Sequence, residues 1–253
     1  MLGVPAFIGI TLAVVAMALL GVTLVRRFVS HDRLARHTDV AGYIYAVVGV
    51  IYGVILAQVV IAGWTEYQDA RTAAANEANA VLNLYRLSRS WPEADHQAVR
   101  SALLAYCEQV VNVEWPELEA GDVVRALDPQ VADHLWSVYD QVGASPAGQT
   151  ATFAASLSQL DAMDEARRTR FLLAAFGLPA VMSATLILGG LVTVGFTYLF
   201  AVEERWMHWL LTGSLAFMVA LLLLLEFQLE TPFQGIDAIP PTAMQVVIRE
   251  LQR

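Results

Sequence analysis

Two carboxylates in the first third of the chain stand at a spacing that suits ion selection. Glu66 and Glu77 are eleven residues apart, which is about three turns of an α-helix, so both project from the same face. Around an aqueous vestibule, a ring of such carboxylates favours cations. The alternative is that they are ordinary solvated charges on a helix that leaves a membrane.

Patterns typical of enzymes or metal sites are sparse. The segment Glu93-Ala94-Asp95-His96 is a single Glu-x-x-His, whereas a di-iron bundle needs two copies and two further carboxylates. His31 and His37 share an arginine-rich loop and are expected to contact lipid head groups, with metal binding or pH sensing as the alternative. No His-Glu-x-x-His, Gly-x-Ser-x-Gly or phosphate-binding glycine loop occurs. We therefore expect no catalytic residues, no cofactor and no enzymatic activity.

Strongly polar side chains interrupt the apolar runs at only two places. Gln58 lies inside the run Ala41 to Trp64, and Glu226 lies at the end of a later run. Polar groups at membrane depth usually face protein or water rather than lipid, so Gln58 is expected either to line a pore or to bond another helix. Nearby apolar side chains are candidates for a constriction that gates by dewetting. The candidate pore residues are Ile51, Leu56, Gln58 and Val60.

One long helix must position these residues. The stretch Ala41 to Ser90 has no Pro, and no Gly after Gly63, so a continuous helix is predicted. Its first 24 residues, Ala41 to Trp64, would extend about 36 Å and cross a hydrocarbon layer of about 30 Å. Small residues recur on one side of it and would allow another helix to approach closely. The helix-packing candidates are Gly42, Gly49 and Gly53.

The composition indicates a membrane protein. Hydrophobic residues make up 57% of the 253 residues, above the 45–50% or so of soluble domains. Four runs are long enough to span, so we predict an all-α integral membrane protein with four transmembrane helices. The runs are 5–25, 41–64, 171–200 and 206–226. Cys107 is the only cysteine; it excludes an intramolecular disulfide and is expected to be a buried helix residue.

A soluble insert separates the two pairs of membrane runs. Residues 65–170 hold sixteen acidic and eight arginine side chains, in a chain of formal net charge −9, which makes nucleic acid an unsuitable partner. Proline-containing signals predict further helices that start near Pro92, Asp128-Pro129 and Ser145-Pro146, with Trp115-Pro116 ending the first of them. The last is expected to continue unbroken into the third membrane run, with a kink or a change of character near Pro179.

Four segments follow from this pattern. They are transmembrane helices 1 and 2 over 1–64, an acidic helical insert over 65–170, transmembrane helices 3 and 4 over 171–228, and a polar tail over 229–253.

Several short motifs resemble the bestrophin-like domain family of bacterial and plant four-helix membrane proteins. They spread over about residues 45–240 and so cover most of the chain. The matching pieces are Tyr52-Gly53-Val54-Ile55-Leu56, Trp64 and Arg71 within Trp-x-x-Tyr-x-x-Ala-Arg, Glu77-Ala78, Glu114-Trp115-Pro116, and Pro232-Phe233-Gln234-Gly235.

The resemblance implies a fold, a location and an activity. True bestrophins are pentameric ion channels, so this likeness implies homo-oligomers in a bacterial plasma membrane, with the termini and the insert in the cytoplasm. Bestrophins also hold calcium in a clasp that begins with a similar Pro-Phe-Gly segment. Here Gln234 is inserted and Asp237 is the one acidic residue that follows closely, whereas calcium needs about six to eight oxygen ligands. Asp237 is therefore the only calcium candidate, and no metal is expected.

The sequence thus favours an oligomeric channel that conducts ions passively along its second transmembrane helix. An acidic vestibule favours cations and the family likeness favours anions, so the ion stays open. The partners expected are the lipid bilayer, inorganic ions and further copies of the chain. The alternative is a membrane sensor or scaffold whose helical insert binds a ligand.

Overall fold

Helices make up every regular element in the part of the chain that the structure describes. The computed structural model describes residues 3–36, 38–127, 129–175 and 177–253. These residues form two compact units. The apolar unit comprises the residues up to 65 together with 178–230, and the acidic unit comprises 66–177 together with 231–253. His37 and Asp128, on which two of the sequence expectations fall, lie outside the described residues.

The apolar unit is built from long hydrophobic helices. Its elements are α1 (Val4–Phe28), α2 (His31–Ala35), the first part of α3 (Thr38–Ser88), α9 (Ala180–Phe196), a 3-10 turn (Thr197–Leu199) and α10 (Arg205–Leu229). Four helical segments are long and apolar enough to cross a bilayer: Val4–Phe28, Thr38–Ser88, Ala180–Leu199 and Arg205–Leu229. These are the four runs that hydrophobicity predicts, although the third begins later than residue 171.

The acidic unit continues from the second part of α3. Its further elements are α4 (Glu93–Gln109), a π-helical turn (Val110–Glu114), α5 (Trp115–Ala120), α6 (Val123–Ala126), α7 (Pro129–Gly143), a 3-10 turn (Pro146–Gln149), α8 (Ala151–Ala175) and α11 (Thr242–Leu251). Ser145 caps the 3-10 turn by accepting a hydrogen bond from the Ala147 N–H at 3.1 Å. α7 begins at Pro129, as predicted, whereas only the 3-10 turn begins at Pro146 and the long helix α8 starts later, at Ala151.

The single long helix is confirmed. α3 runs for 51 residues without interruption, which corresponds to about 77 Å at 1.5 Å per residue. Ala70, Ala74, Ala78 and Val81 form a buried stripe in its second part, and this spacing of three to four residues matches one face of a helix. Packing of that stripe, more than propensity, stabilises a helix of this length.

Two helix boundaries differ from the sequence prediction. The helix through α4 does not end at Trp115-Pro116, because a π-helical turn leads directly into α5, which ends only at Gly121 with φ of 83°. Proline removes one backbone hydrogen bond, and a widened turn absorbs that loss without stopping the helix. The expectation of an unbroken run from the insert into the third membrane helix is also wrong. α8 ends at Ala175 and α9 begins after Pro179, where proline can start a helix but not continue one.

The C-terminal segment belongs to the acidic unit rather than forming a separate polar tail. α11 buries Met244, Val247 and Leu251, which share one face at helical spacing. The Arg100 Nε donates to the Leu251 carbonyl at 2.6 Å and thereby ties the helix end to α4. The amphipathic pattern of α11 explains why it packs on the insert.

Cys107 is buried in α4, as predicted, with 0% exposure. Burial raises the pKa of its thiol well above the ordinary value, and the nearby Glu77 carboxylate raises that pKa further. Because the thiolate is the reactive form, we expect a maleimide at mildly alkaline pH to leave the folded protein unmodified and to label it fully in denaturant. Mass spectrometry measures the modification. An Ala105→Cys change on the exposed side of α4, in a chain whose Cys107 is replaced by Ala, is the reactive control. Equal labelling rates for both thiols would contradict this prediction.

Candidate pore-lining face and buried charge network

The first part of α3 has one face in the core of the apolar unit and one face that no element in the described part of the chain covers. Tyr52, Leu56 and Val59 are buried in the core, where they meet Leu186 and Val219. The opposite side carries large exposed side chains, which recur three to four residues apart and so lie on one helical face. The exposed residues on this side are Val47, Val50, Val54, Gln58 and Ile61. We call these five residues the open face of α3.

The predicted pore residues divide between these two faces. Ile51 is 55% exposed, beside the open face, and Gln58 lies on it. Val60 is half-buried. Leu56 is only 4% exposed and packs in the core of its own chain. A side chain enclosed in this way cannot line a water-filled path, so the prediction for Leu56 is corrected.

The glycines on α3 show where a partner helix has room. A Cβ added at Gly49 or Gly53 meets nothing within 4 Å, whereas one at Gly42 approaches the Phe200 ring at 3.8 Å. The close approach inside the chain occurs instead at Gly189, where the Tyr52 ring lies 2.6 Å from an added Cβ. The small-residue stripe at Gly49 and Gly53 therefore contacts no described part of its own chain.

The two carboxylates predicted for the vestibule have different surroundings. Glu66 is exposed, as a vestibule residue must be. Glu77 is 0% exposed: its Oε2 accepts from Arg170 Nε at 2.6 Å and its Oε1 accepts from Tyr106 at 2.7 Å. The prediction of Glu77 as a solvent-facing selectivity residue is therefore corrected.

Glu77 belongs to a buried charge network inside the acidic unit. Glu114 Oε2 accepts from Arg170 Nη2 at 2.6 Å, and Glu114 Oε1 accepts from Arg167 Nη2 at 2.7 Å. Arg170 Nη2 also lies 3.0 Å from Glu77 Oε1. The chain of contacts runs Tyr106, Glu77, Arg170, Glu114, Arg167. Two carboxylates and two guanidinium groups balance in charge, which is the condition for burying ions at an acceptable cost.

Aromatic rings enclose the Arg170 guanidinium. Its Cζ lies 4.9 Å from the Trp115 ring centroid and 4.8 Å from the Phe171 ring centroid, within the range of cation–π attraction. Trp115 in turn donates from Nε1 to the Ile239 carbonyl at 2.9 Å and meets the Phe233 ring edge-on at 5.6 Å. The network therefore joins the second part of α3, the π-helical turn, α8 and the segment that leads to α11.

The environment fixes the protonation of this network. Burial lowers the pKa of Arg170, but the Glu77 and Glu114 carboxylates outweigh it, so the net pKa lies above the ordinary value. Burial raises the pKa of Tyr106, and the charges of Glu77 and Glu114 raise that pKa further. Arg170 is therefore charged and Tyr106 is a neutral hydrogen-bond donor across the physiological pH range.

The remaining motif residues lie in or beside the acidic unit's core, apart from Trp64 on the apolar unit. Pro232 and Phe233 are buried, and Gly235 has φ of 84°, a backbone conformation that side chains other than glycine rarely adopt. Pro116 lies in the first turn of α5. Trp64 is 54% exposed. Two distant motifs thus meet where Trp115 contacts Phe233, and the first of them supplies the Arg170 partners Glu114 and Trp115.

Arg71 and Asp237 line a cavity of the acidic unit that measures about 640 Å³ in volume. The Tyr67 hydroxyl donates to the Asp237 carbonyl at 2.9 Å. Among the described residues, no group of three or more His, Cys, Asp and Glu side chains converges on one point. Asp237 therefore belongs to no described group of three or more such side chains, whereas calcium needs about six to eight oxygen ligands.

Two other sequence patterns serve local structure. His96 Nδ1 lies 2.8 Å from the Ser88 hydroxyl, and Glu93 accepts from Gln97 at 2.7 Å, so the Glu-x-x-His step does not form one site. Arg168 forms an ion pair within its own helix, because its Nη2 contacts Asp164, four residues earlier, at 2.5 Å. Arg167 and Arg170 instead reach across to other helices.

A polar cluster at one end of the apolar unit has no counterpart in the sequence predictions. His208 is 1% exposed; its Nε2 lies 2.9 Å from the Thr197 carbonyl, and its Nδ1 lies 3.1 Å from Arg26 Nη1. A carbonyl only accepts, so Nε2 carries the proton and Nδ1 accepts from the arginine. Arg26 also donates to the Val202 carbonyl at 2.7 Å. The cluster joins α1 to the turn before α10.

Comparisons with known proteins agree on the architecture. The profile of the Bestrophin-like domain matches residues 12–244, whereas a search of curated proteins gives no match. A crystal structure of a bacterial bestrophin homologue from Klebsiella pneumoniae is similar with a TM-score of 0.77 and 18% identity over 96% of each chain. A tyrosine-to-alanine variant of that homologue gives 0.76 and 17% over 97% of each chain. A proline-to-alanine variant described as a membrane protein gives 0.75 and 16% over 97% of each chain.

Proposed function

Because the chain belongs to the Bestrophin-like domain family, we propose that it is a bestrophin-type ion channel, formed by several copies of the chain and conducting ions passively. The observation that carries the proposal is the open face of α3. A helix long and apolar enough to span a bilayer carries the exposed amide of Gln58 there. Since an amide in hydrocarbon lacks partners, this face is best placed against water or another subunit.

The pore proposed here is lined by the open face of α3 together with Ile51. Val54 and Ile61, about two helical turns apart, would supply the apolar constriction in place of Leu56. Gln58 would supply a polar group between them. Val60 is half-buried and packs against the core of the apolar unit, so it would not line this pore. Narrow apolar segments control conduction by dewetting, and a polar side chain lowers that barrier.

Copies of the chain would assemble through the glycine stripe. Gly49 and Gly53 leave room for a neighbouring helix, and small residues at helix contacts are the usual way for membrane helices to approach. The family likeness favours a pentamer. The mass of the purified protein in detergent tests this arrangement, and a monomer would contradict it.

The likeness also favours a bacterial plasma membrane, with the acidic unit and both termini in the cytoplasm. This orientation places Glu66 at the inner mouth of the pore. The loop between α1 and α3 would then lie outside, with Arg27 and Arg205 at lipid head groups.

The Gln58→Leu change tests the pore lining. We expect ion flux from reconstituted liposomes to fall about tenfold, because a barrier raised by roughly 1.4 kcal/mol slows a rate by that factor. A flux assay with an ion-sensitive dye measures it. The matched control is Thr185→Val on α9, an exposed position outside the open face; its flux should equal that of the natural sequence.

Two outcomes would count against this proposal. If Gln58→Leu conducts like the control, the open face is not the lining. If vesicles containing the natural sequence stay sealed under gradients of both cations and anions, the channel is contradicted, and a sensor or scaffold with a ligand-binding acidic unit becomes the better account.

The Glu66→Gln change tests selectivity. Removing an exposed carboxylate from every subunit weakens the local attraction for cations, so we expect the reversal potential under a salt gradient to shift toward anion preference. The shift should shrink at high salt because exposed charges are screened. Glu250→Gln on α11, also exposed, is the control. An unchanged reversal potential at low salt would show that Glu66 lies away from the ion path.

A further inference from the structure

A cavity in the apolar unit has the features of a ligand site. It measures about 600 Å³ and lies between α1, α9 and α10. Apolar side chains from all three helices line most of it, and two carboxyl groups lie among its lining residues. The residues used below are Met17, Ile187, Leu191, Val219, Glu226 and Glu230.

Glu226 is the unusual member of this lining. It is 5% exposed, and its Oε1 is buried without a hydrogen-bond partner among the described residues. Its neighbour Glu230 is occupied: its side chain hydrogen-bonds to the Glu226 carboxyl group, and its Oε1 accepts from the Leu178 N–H at 3.2 Å and from the Ser183 hydroxyl at 3.4 Å. A buried acceptor without a donor is costly. The cavity therefore offers one acceptor to whatever occupies it.

The dimensions of the cavity match part of a lipid. Two lining residues, Val219 in α10 and Glu230 directly after its end, are eleven residues apart. This separation is about 16 Å along a helix, or about half the thickness of a hydrocarbon layer of roughly 30 Å. One end lies near the middle of a span and the other near its boundary. Glu226 and Glu230 mark the boundary end, where lipid head groups lie.

The cavity also opens to the surroundings of the unit. Met17 is 64% exposed, Ile187 is 52% exposed and Leu191 is 65% exposed. A chain of one leaflet could therefore enter sideways between α1 and α9.

We propose that this cavity binds one acyl chain of a membrane phospholipid whose head group carries a primary ammonium, with an ammonium N–H donating to Glu226 Oε1. An ammonium supplies donors and a charge opposite to that of a carboxylate, and such hydrogen bonds are among the stronger ones. A trimethylammonium head group has no N–H, and a phosphoglycerol head group is anionic. The site selects among lipids by the head group and retains them by the chain.

Other occupants suit the cavity less well. A calcium ion needs about six to eight oxygen ligands, and this lining is apolar apart from a few side chains at one end. Ordered water needs about two to four polar partners, which the length of the cavity beyond Glu226 does not provide. The inference concerns α1, α9 and α10, and it is independent of the pore proposed for α3.

Native mass spectrometry of the detergent-purified protein tests the proposal. The protein is mixed with equal amounts of phosphatidylethanolamine, phosphatidylcholine and phosphatidylglycerol that have identical acyl chains. We expect phosphatidylethanolamine to be retained at least about tenfold more than the other two, a ratio that one charge-assisted hydrogen bond supplies.

Two pairs of variants separate the head group from the chain. Glu226→Gln keeps the shape and removes the charge, so the preference should fall to near parity, while Glu203→Gln in the exposed turn before α10 should keep it. Leu191→Trp fills the cavity and should reduce retention of all three lipids several-fold. Leu188 is 61% exposed on the same helix and lies outside the lining. The Leu188→Trp variant should therefore retain the three lipids as the natural sequence does.

Three results would overturn the proposal. They are equal retention of the three lipids, a preference that survives Glu226→Gln, and equal losses in the two tryptophan variants. Because Leu191 is exposed, its variant tests the cavity even if a change at the buried Glu226 impairs folding. If a neighbouring subunit covered the cavity, no lipid would be selected and the three lipids would be retained equally.

Discussion

Replacing Arg170 with Met should lower the free energy of unfolding by about 3–5 kcal/mol, the usual effect of removing one partner from a buried ion pair. The guanidinium is 0% exposed and donates to both Glu77 and Glu114. Without it, two carboxylates lie close together in a core that contains only one other described guanidinium, that of Arg167. The loss of the contacts with Trp115 and Phe171 adds to the effect.

Thermal unfolding in detergent, followed by tryptophan fluorescence, measures this loss. The matched control is Arg168→Met, two positions away on α8, where the arginine is exposed and pairs with Asp164. Exposed pairs of this spacing contribute only about 0.3–0.5 kcal/mol, so the control should unfold close to the natural sequence. Similar unfolding temperatures for the two variants would show that the network does not stabilise the fold.

A double variant identifies the cause of the loss. In Glu77→Gln combined with Arg170→Met, one of the uncompensated carboxylates is gone, and Tyr106 can still donate to the amide oxygen. The combined effect should therefore be smaller than the sum of the single effects, as expected for residues in contact. Simple additivity would mean that Arg170 acts through its aromatic contacts rather than through Glu77.

The outline of the fold could be predicted from the sequence because it depends on signals that are local. Uninterrupted hydrophobic length predicts the spans, and proline with a capping residue predicts several helix starts. The continuous α3 follows from the absence of proline over its whole length. The π-helical turn before Trp115 could not be predicted in this way, because a proline signal alone does not show whether a helix stops or widens.

The faces of the helices were harder to assign. Apart from Gln58, α3 carries apolar or small residues on all sides where it spans, so periodicity does not separate Leu56, which packs inward, from Val54, which lies on the open face. Glu66 and Glu77 do share a helical face, but the surroundings of that face change along α3. The face is open at Glu66, and partners from α4 and α8 cover it at Glu77.

The sequence indicates that Arg167 and Arg170 are buried, although it does not predict which carboxylates they pair with. Arg167 and Arg170 continue the stripe of Leu160 and Met163 along α8 at a spacing of three to four residues, and a charge in an apolar stripe indicates a buried charge. The partners are 93 residues away at Glu77 and 56 away at Glu114. Pairings at such separations depend on the tertiary fold, which no local pattern contains.

The second large effect is expected at Gly189, where the Tyr52 ring of α3 packs against the backbone of α9. A Cβ there would lie 2.6 Å from Tyr52 Cδ2 and 2.8 Å from Cε2, well inside van der Waals contact. Gly189→Ala should therefore displace the buried Tyr52 ring and lower the stability of the apolar unit by about 1–3 kcal/mol, as overpacking commonly does. The unfolding temperature in detergent measures this change.

The same helix offers a matched control, because a Cβ at Gly195 meets nothing within 4 Å. Gly195→Ala makes the same chemical change on α9 and should leave stability unchanged or slightly raise it, since alanine favours a helix. A second-site Tyr52→Leu change should restore much of the stability lost in Gly189→Ala by removing the ring. Tyr52 lies on α3 opposite the open face, so a displaced ring would also move that face. If the proposed pore is correct, ion flux through Gly189→Ala should change together with stability, and the second-site change should restore both; recovery of stability alone would place the conduction path away from α3.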